Sequence, residues 1–320
     1  MSSNDSMSAQ KIAVLAGGTS REAEVSRSSA GQVAQALGKS YRDVHVFELN
    51  DDLVTSLLDW HPDVVFPVLH GPPGEDGTVQ GFLEILKLPY VGSDVHASAA
   101  AMDKGIAKSL FRNVGLPVCD GLEYPHSTDV ASIASEVSGR FGDRVVIKPL
   151  NQGSAIGVVP LINGGDVVGA LQQTLALGQD VLIEPYIPGR EMTVGILDLE
   201  GDTCIATPVI DIVTPSDSWY DYEHRYSKGL SKHLIPAQLP ESVSRELQRI
   251  SVAAHQVLKC RDLSRADFIV TDDNEIVLLE VNTLPGMTPT SLYPDGVGAL
   301  GIEFPDLVAQ LVQSALRRGT

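Results

Sequence analysis

The sequence predicts an α/β protein, with a parallel sheet first and antiparallel hairpins later. Three observations carry this. Over roughly the first 95 residues, buried-type strands alternate with helical stretches, the pattern of a parallel sheet. From about Glu191 onward β-branched runs are separated by short turn sequences, the pattern of hairpins. The chain is 320 residues long, 43% hydrophobic and 20% charged, enough for a substantial core and two or three domains.

In chain order, "KIAVLAGG" (Lys11 to Gly18) reads as a buried strand ending in a glycine turn. "SREAEVSRSSAGQVAQALG" reads as a helix with Ser20 as its candidate cap. "DVHVFEL" and "DVVFPVLHG" follow as strands. A second segment, from Met102, holds the helix "DKGIAKSLFRNVG", the strand "RVVIKPL", a glycine loop, the helix "DVVGALQQTLALG" and the strand "DVLIEPYI". The third holds hairpins and a last helix, "FPDLVAQLVQSALRR". The expected boundaries are 1–101, 102–190 and 191–320. Within the third, Asp217 to Ala237 is polar and aromatic with no clean period, long for a loop in a compact domain, and such loops are often lids.

With 23 basic and 41 acidic residues the formal charge is −18, which argues against nucleic acid or an anionic membrane as the main partner. Cys119, Cys204 and Cys260 show no metal or redox spacing and fit a reducing cytoplasm. "MSSNDSMSAQ" reads as a loose polar leader, and no secretory or membrane-spanning run follows it.

The stretch Leu263 to Met287, "LSRADFIVTDDNEIVLLEVNTLPGM", carries four polar groups inside apolar strands. A tight turn at Asp273–Asn274 puts Asp267 opposite Glu280 and Arg265 opposite Asn282, all on one face. Facing carboxylates repel unless a cation sits between them. Two carboxylates and an amide carbonyl are hard oxygen donors suited to Mg²⁺, which usually travels with phosphate. The plainer alternative is a solvated hairpin face.

"KPLNQGSAIGV" is the second signal. Lys148 ends an apolar strand, where its charge needs an anion, and Gly153, Ser154 and Gly157 form an amide-rich loop able to fold over phosphates. The spacing is neither a P-loop nor a dinucleotide fingerprint. Glu184 and Glu191 flank the end of the strand "VLIEPYI", and His70 stands at a strand end beside a glycine–proline loop, where a lone histidine is more often structural. In "GGTSREAEVS" Glu22 and Glu24 would repel an anion and suit an ammonium group.

These stretches, with "LHGPPGEDGTVQG", "LPYVGS", "MDK", "YDYEHRY" and "LLEVNTLPGMTPTSL", resemble in order and spacing the D-alanine–D-alanine ligases of the ATP-grasp superfamily, from Lys11 to about Leu311. The resemblance implies a three-domain ATP-grasp fold with a Rossmann-like N-terminal domain, and a reaction in which ATP phosphorylates the first D-alanine and the amine of the second attacks the acyl phosphate. It implies Asp267, Glu280 and Asn282 as ligands for two Mg²⁺ ions, with Mn²⁺ an alternative, and Arg265 as the group that stabilises the tetrahedral centre. Lys104 and Lys148, with Ser154 and Arg225, would bind the nucleotide phosphates, and Glu184 and Glu191 the adenine and ribose. Glu24 would accept the first substrate's ammonium, with His70 near that substrate. Gly286, Ser291 and the amide of Leu292 would hold the second substrate's carboxylate. Tyr226, in the mobile loop, would reach Ser154 and Glu24. Peptidoglycan precursor synthesis, a cytoplasmic site of action and a homodimer follow by the same resemblance. The chain departs from the pattern at Ala155, Arg225, His233 and Leu284, which keeps open a related ligase with another amino-acid pair. A nucleotide-binding regulator without turnover is a further alternative, against which the intact set Arg265, Asp267, Glu280 and Asn282 speaks.

Overall fold

A computed structural model describes residues 9–20, 22–215 and 231–319. The chain builds three sheets, in sequence order. The first comes from β1 (Lys11–Ala16), α1 (Ala23–Leu37), β2 (Asp43–Glu48), α2 (Leu53–Trp60) and β3 (Val64–Pro67). Its strand order is β2-β1-β3, all parallel, as the strand–helix alternation predicts. β1 and β3 are apolar on both faces because helices cover both, while β2 is an edge. Two further helices, α3 (Thr78–Ile85) and α4 (Val95–Met102), complete this part.

The second sheet follows α5 (Lys104–Asn113). Its elements are β4 (Leu122–Tyr124), α6 (Val130–Phe141), β5 (Val145–Pro149), β6 (Val159–Pro160), α7 (Val167–Leu175) and β7 (Val181–Pro185). The order is β4-β7-β5-β6, wholly antiparallel. α6 and α7 close one face over Ile133, Val137, Val145, Ile147, Leu171 and Ile183.

The third sheet uses β8 (Arg190–Asp198), β9 (Ile205–Ala206), β10 (Ile210–Val213), β11 (Lys232–Leu234), β12 (Asp262–Val270) and β13 (Ile276–Asn282), with α8 (Glu241–Leu258) packed on it. The order is β11-β10-β8-β12-β13, with β9 on the side of β8. The stretch Asp217 to Ala237 is therefore not loop throughout: its end forms β11, paired with β10 through His233 and Ile212. Residues 216–230, which include Arg225 and Tyr226, lie outside the described residues.

Two packing relations cross the expected segments. α4 and α5 share a core with the third sheet through Ala97, Ala101, Phe111, Met192, Phe268 and Leu278. The last helix, α10 (Phe304–Arg318), preceded by α9 (Leu292–Gly298), returns to the first sheet, where Leu307, Val308 and Leu311 join Ile12, Val14 and Phe66. Arg318 fixes this return. It makes a two-pronged ion pair with Asp262, 2.8 Å to each oxygen, and donates to the Tyr90 carbonyl at 2.9 Å.

Candidate active site

A cavity of about 800 Å³ opens where the three sheets meet. The β12–β13 hairpin forms its floor. Arg265 pairs with Asn282 and Asp267 with Glu280, the register the alternation requires. The turn itself lies one position earlier than expected, since Val270 faces Ile276. An irregularity after Asp267 skips Leu279 and restores the register where the polar groups stand.

Each charged group on this floor already has a partner. Arg265 donates to both oxygens of Asp267, at 2.8 and 2.7 Å, and Thr193 Oγ1 donates to the same carboxylate at 2.6 Å. Glu280 faces Lys104, 3.5 Å away, and Lys104 also donates to the Gln152 carbonyl at 2.5 Å. Burial lowers the Lys104 pKa, and Glu280 opposes that only in part. Asn282 Oδ1 accepts from the Leu284 amide at 3.0 Å. Among the described residues no three His, Cys, Asp or Glu side chains gather as a metal site. The set here is two carboxylates and an amide, and as oxygen donors on one hairpin face it fits Mg²⁺.

The glycine loop after β5 reaches over from the second sheet. Ser154 and Ala155 have φ of 48° and 57°, left-handed values that hold the loop in a tight fold, and Gly157 adjoins them at 72°. Ser154 Oγ donates to Glu22 Oε1 across 132 residues of sequence. Glu22 and Glu24, the two glutamates of this stretch, are placed differently. α1 begins at Ala23, so Glu22 is its cap residue and turns inward, 2% exposed. Glu24 lies one step into the helix at the cavity rim, its side chain 89% exposed and paired with Arg27 at 2.6 Å. Ser20 does not cap this helix; its hydroxyl accepts from the Glu22 amide at 3.2 Å. Gly71 makes room for Glu22, since a Cβ there would stand 3.1 Å from Oε2.

His70 and Glu75 come from the glycine–proline loop after β3, both buried and both lining the cavity. Burial lowers the His70 pKa, Glu22 raises it and Arg265 lowers it further. His70 Nε2, although buried, has no hydrogen-bond partner among the described residues. Glu75 accepts from the Gly71 amide at 2.5 Å, and burial, with Glu22 nearby, pushes its pKa up to about 8. The sequence reading missed Glu75; the signal was its place five residues after His70 in a loop without apolar residues.

Glu184 and Lys148 lie beside the cavity as a closed pair, 2.6 Å apart. Lys108, on α5, binds the other Glu184 oxygen. Burial alone would raise the Glu184 pKa, but Lys148 and Lys108 hold it down at about 2. Burial works against the Lys148 charge and Glu184 outweighs it, so its pKa is raised. Glu191 sits mid-sheet on β8, in register with Ile212 and Ile269, and does not line the cavity.

At the far wall Ser291 caps α9 and its Oγ accepts from the Thr288 amide at 3.2 Å. Gly286 packs closely here: a Cβ would stand 3.1 Å from Ser291 Oγ. Leu292 lines the same wall, and next to it His233 Nδ1 is 2.7 Å from Asp295 Oδ2. Leu284, one of the departures, is 5% exposed and packs toward Gly92 and Leu263, away from the chemistry.

The family model described as D-ala D-ala ligase C-terminus matches residues 110–313, and that described as D-ala D-ala ligase N-terminus matches residues 54–93. The chain belongs to the D-alanine–D-alanine ligase family. Within this family it is 43% identical to the D-alanine–D-alanine ligase of Acidiphilium cryptum over 97% of this chain and 99% of that protein. It is 40% identical to that of Halalkalibacterium halodurans over 96% of this chain and 100% of the other. Among solved structures, the Bacillus anthracis D-alanine–D-alanine ligase complexed with ATP superposes with a TM-score of 0.81 at 31% identity, covering 97% of this chain and 98% of that one. The VanG D-Ala:D-Ser ligase of Enterococcus faecalis superposes with a TM-score of 0.80 at 28% identity, over 96% and 99%. The ATP-grasp reading of the fold therefore holds for this chain, and the chain is a ligase.

Proposed function

We propose that this ligase joins two D-alanines into D-alanyl-D-alanine, with ATP converting the first carboxylate into an acyl phosphate, for peptidoglycan precursor synthesis. The observation that carries it is the hairpin register. It sets Arg265, Asp267, Glu280 and Asn282 on one face, opposite the Glu22–Ser154 contact and over a single cavity.

Glu22, buried with His70 and Glu75 around it, receives the ammonium of the first D-alanine. The amides of the glycine loop, Lys104 and Lys148 take the phosphates, and Glu184, with Glu191 further along the sheet, the nucleoside. Asp267, Glu280 and Asn282 would hold Mg²⁺, which would neutralise charge on the transferring phosphate. Ser291, Gly286 and the Leu292 amide seat the second D-alanine's carboxylate, so that its amine faces the acyl carbon. As that amine attacks, negative charge grows on the carbonyl oxygen, and the Arg265 guanidinium is the cation placed to meet it. Collapse expels inorganic phosphate. By the family resemblance the protein would work as a homodimer in the cytoplasm, and its charge of −18 argues against nucleic acid as a partner.

The test is phosphate release from ATP with and without D-alanine, with the product identified by mass spectrometry. D-Alanine should stimulate release and yield one dipeptide per phosphate. Release that ignores D-alanine, or that yields no dipeptide, refutes the reading.

A further inference from the structure

Lys108 sits on α5 one helical turn beyond Lys104, and its side chain is 2% exposed, an unusual place for a lysine. Its ammonium pairs with Glu184 Oε1. Cys119 donates its S–H to the same oxygen at 3.1 Å, and its Sγ is 3.6 Å from Lys108 Nζ. The other oxygen, Oε2, holds Lys148 at 2.6 Å. One buried carboxylate thus carries two buried lysines, and the cluster has a net charge of one positive.

The arrangement poses a problem that Lys108 solves. Lys148 cannot serve a phosphate fully while it serves Glu184. Were it the sole cation there, its departure would strand a carboxylate whose side chain is 4% exposed. Leaving a buried charge without its partner is strongly unfavourable, so the lysine would stay where it is. With Lys108 fixed on Oε1, and Cys119 beside it, Glu184 remains neutralised whichever way Lys148 turns.

We propose that Lys108 is a positioning residue of the nucleotide site: by keeping Glu184 neutralised it frees Lys148 to exchange that carboxylate for a nucleotide phosphate. This rests on the reading of Lys148 as a phosphate-binding lysine. Lys104 does not bear on this exchange, because the carboxylate it faces is Glu280 and not Glu184.

The experiment compares Kd for ADP with Kd for adenosine by calorimetric competition. Their ratio isolates what the phosphates contribute, whatever happens at the base. In Lys108→Met the cluster loses its surplus charge, and the ratio should fall by about tenfold to a hundredfold, the worth of a charge-assisted hydrogen bond. Lys108→Arg keeps the charge and should retain most of the ratio. Adding Glu184→Gln to Lys108→Met restores the surplus charge and removes the carboxylate that traps Lys148. The double variant should recover the ratio even though its affinity for adenosine drops. A ratio unchanged in Lys108→Met overturns the proposal. A ratio lost there and not recovered in the double variant overturns it too, since Lys108 then acts by packing alone. If Lys108→Met does not stay folded, Lys108→Gln, equally uncharged, takes its place in both comparisons. A wild-type protein that binds ADP no tighter than adenosine refutes the nucleotide reading itself, and the proposal with it.

Discussion

Two glutamates stand two positions apart at the start of α1, and the structure assigns them opposite fates. Glu22→Gln changes a carboxylate that is 2% exposed and bonded to Ser154, whereas Glu24→Gln changes one whose side chain is 89% exposed and paired with Arg27. The magnitudes follow from this difference. An exposed i,i+3 ion pair is worth about 0.3–0.5 kcal/mol, so Glu24→Gln should alter kcat/KM for D-alanine by about twofold or less. A buried hydrogen bond to a charged partner is worth about 1.5–3 kcal/mol. Glu22→Gln weakens one such bond to the substrate ammonium and one to Ser154, so kcat/KM for D-alanine should fall by about two orders of magnitude or more. The KM for ATP should move little, because the nucleotide groups come from other elements. Steady-state kinetics at varied D-alanine and saturating ATP measure this directly. The reverse order, with Glu24→Gln crippled and Glu22→Gln close to wild type, would show that the inward carboxylate is not the one that meets substrate.

Three further outcomes are expected. Arg318→Met leaves Asp262, whose side chain is fully buried, with only the Ser314 hydroxyl and the Gly92 amide, and should cost about 3–5 kcal/mol in urea unfolding; an unchanged midpoint would show that the α10 return does not depend on this pair. Glu280→Gln should lower turnover by orders of magnitude with the fold retained, since an anionic oxygen donor on the hairpin floor is gone; wild-type rates at ordinary Mg²⁺ would remove Glu280 from the proposed ligand set. Glu75 has its pKa raised from 4.5 to about 8, so between those values the native state binds more protons than the unfolded state and stability falls as pH rises, fully lost only above about 8. Glu75→Gln should flatten that slope for the metal- and nucleotide-free protein; an equally steep slope in the variant would place the titration elsewhere.

The hairpin was legible because its information is local. Turn residues at "TDDN" fix the reversal, and period-two alternation fixes which side chains share a face. Even so, the turn lies one residue early and the irregularity after Asp267 compensates for it, a pairing that only the neighbouring β8 and the cavity can select. Glu22 was not distinguishable from Glu24, because the choice is made by Ser154 and Gly71, both far away in sequence. Lys108 is not singled out by the sequence. Its spacing from Lys104 and Phe111, at four and three residues, puts all three on one face, and Phe111 is wholly buried. That pattern was present in the sequence, but it points to burial only if the lysine has an acid to meet, and Glu184 is 76 residues further on. The end of the expected lid became β11 for a similar reason: three residues cannot show a period, and β10 supplies the pairing.

These partnerships share one logic. Asp267 is held by Arg265, Glu280 faces Lys104, and Glu184 holds Lys108 and Lys148, so each of these three carboxylates is matched by a cation of the protein itself. Unpaired, such groups would each cost several kcal/mol, enough to threaten a fold whose whole margin is of that order. The protein's own cations therefore stand in for the ligands. On the proposed roles, an incoming nucleotide phosphate would take a lysine away from a carboxylate, and a divalent cation would take a carboxylate away from a lysine or arginine. At the Lys104–Glu280 contact either exchange alone strands a charge; made together, they leave both charges matched. Binding of the two is then coupled by the site's own electroneutrality, with no conformational signal required between them. Lys108 is the exception that makes the logic visible, because its charge is committed to Glu184 throughout and lets one exchange proceed without the other.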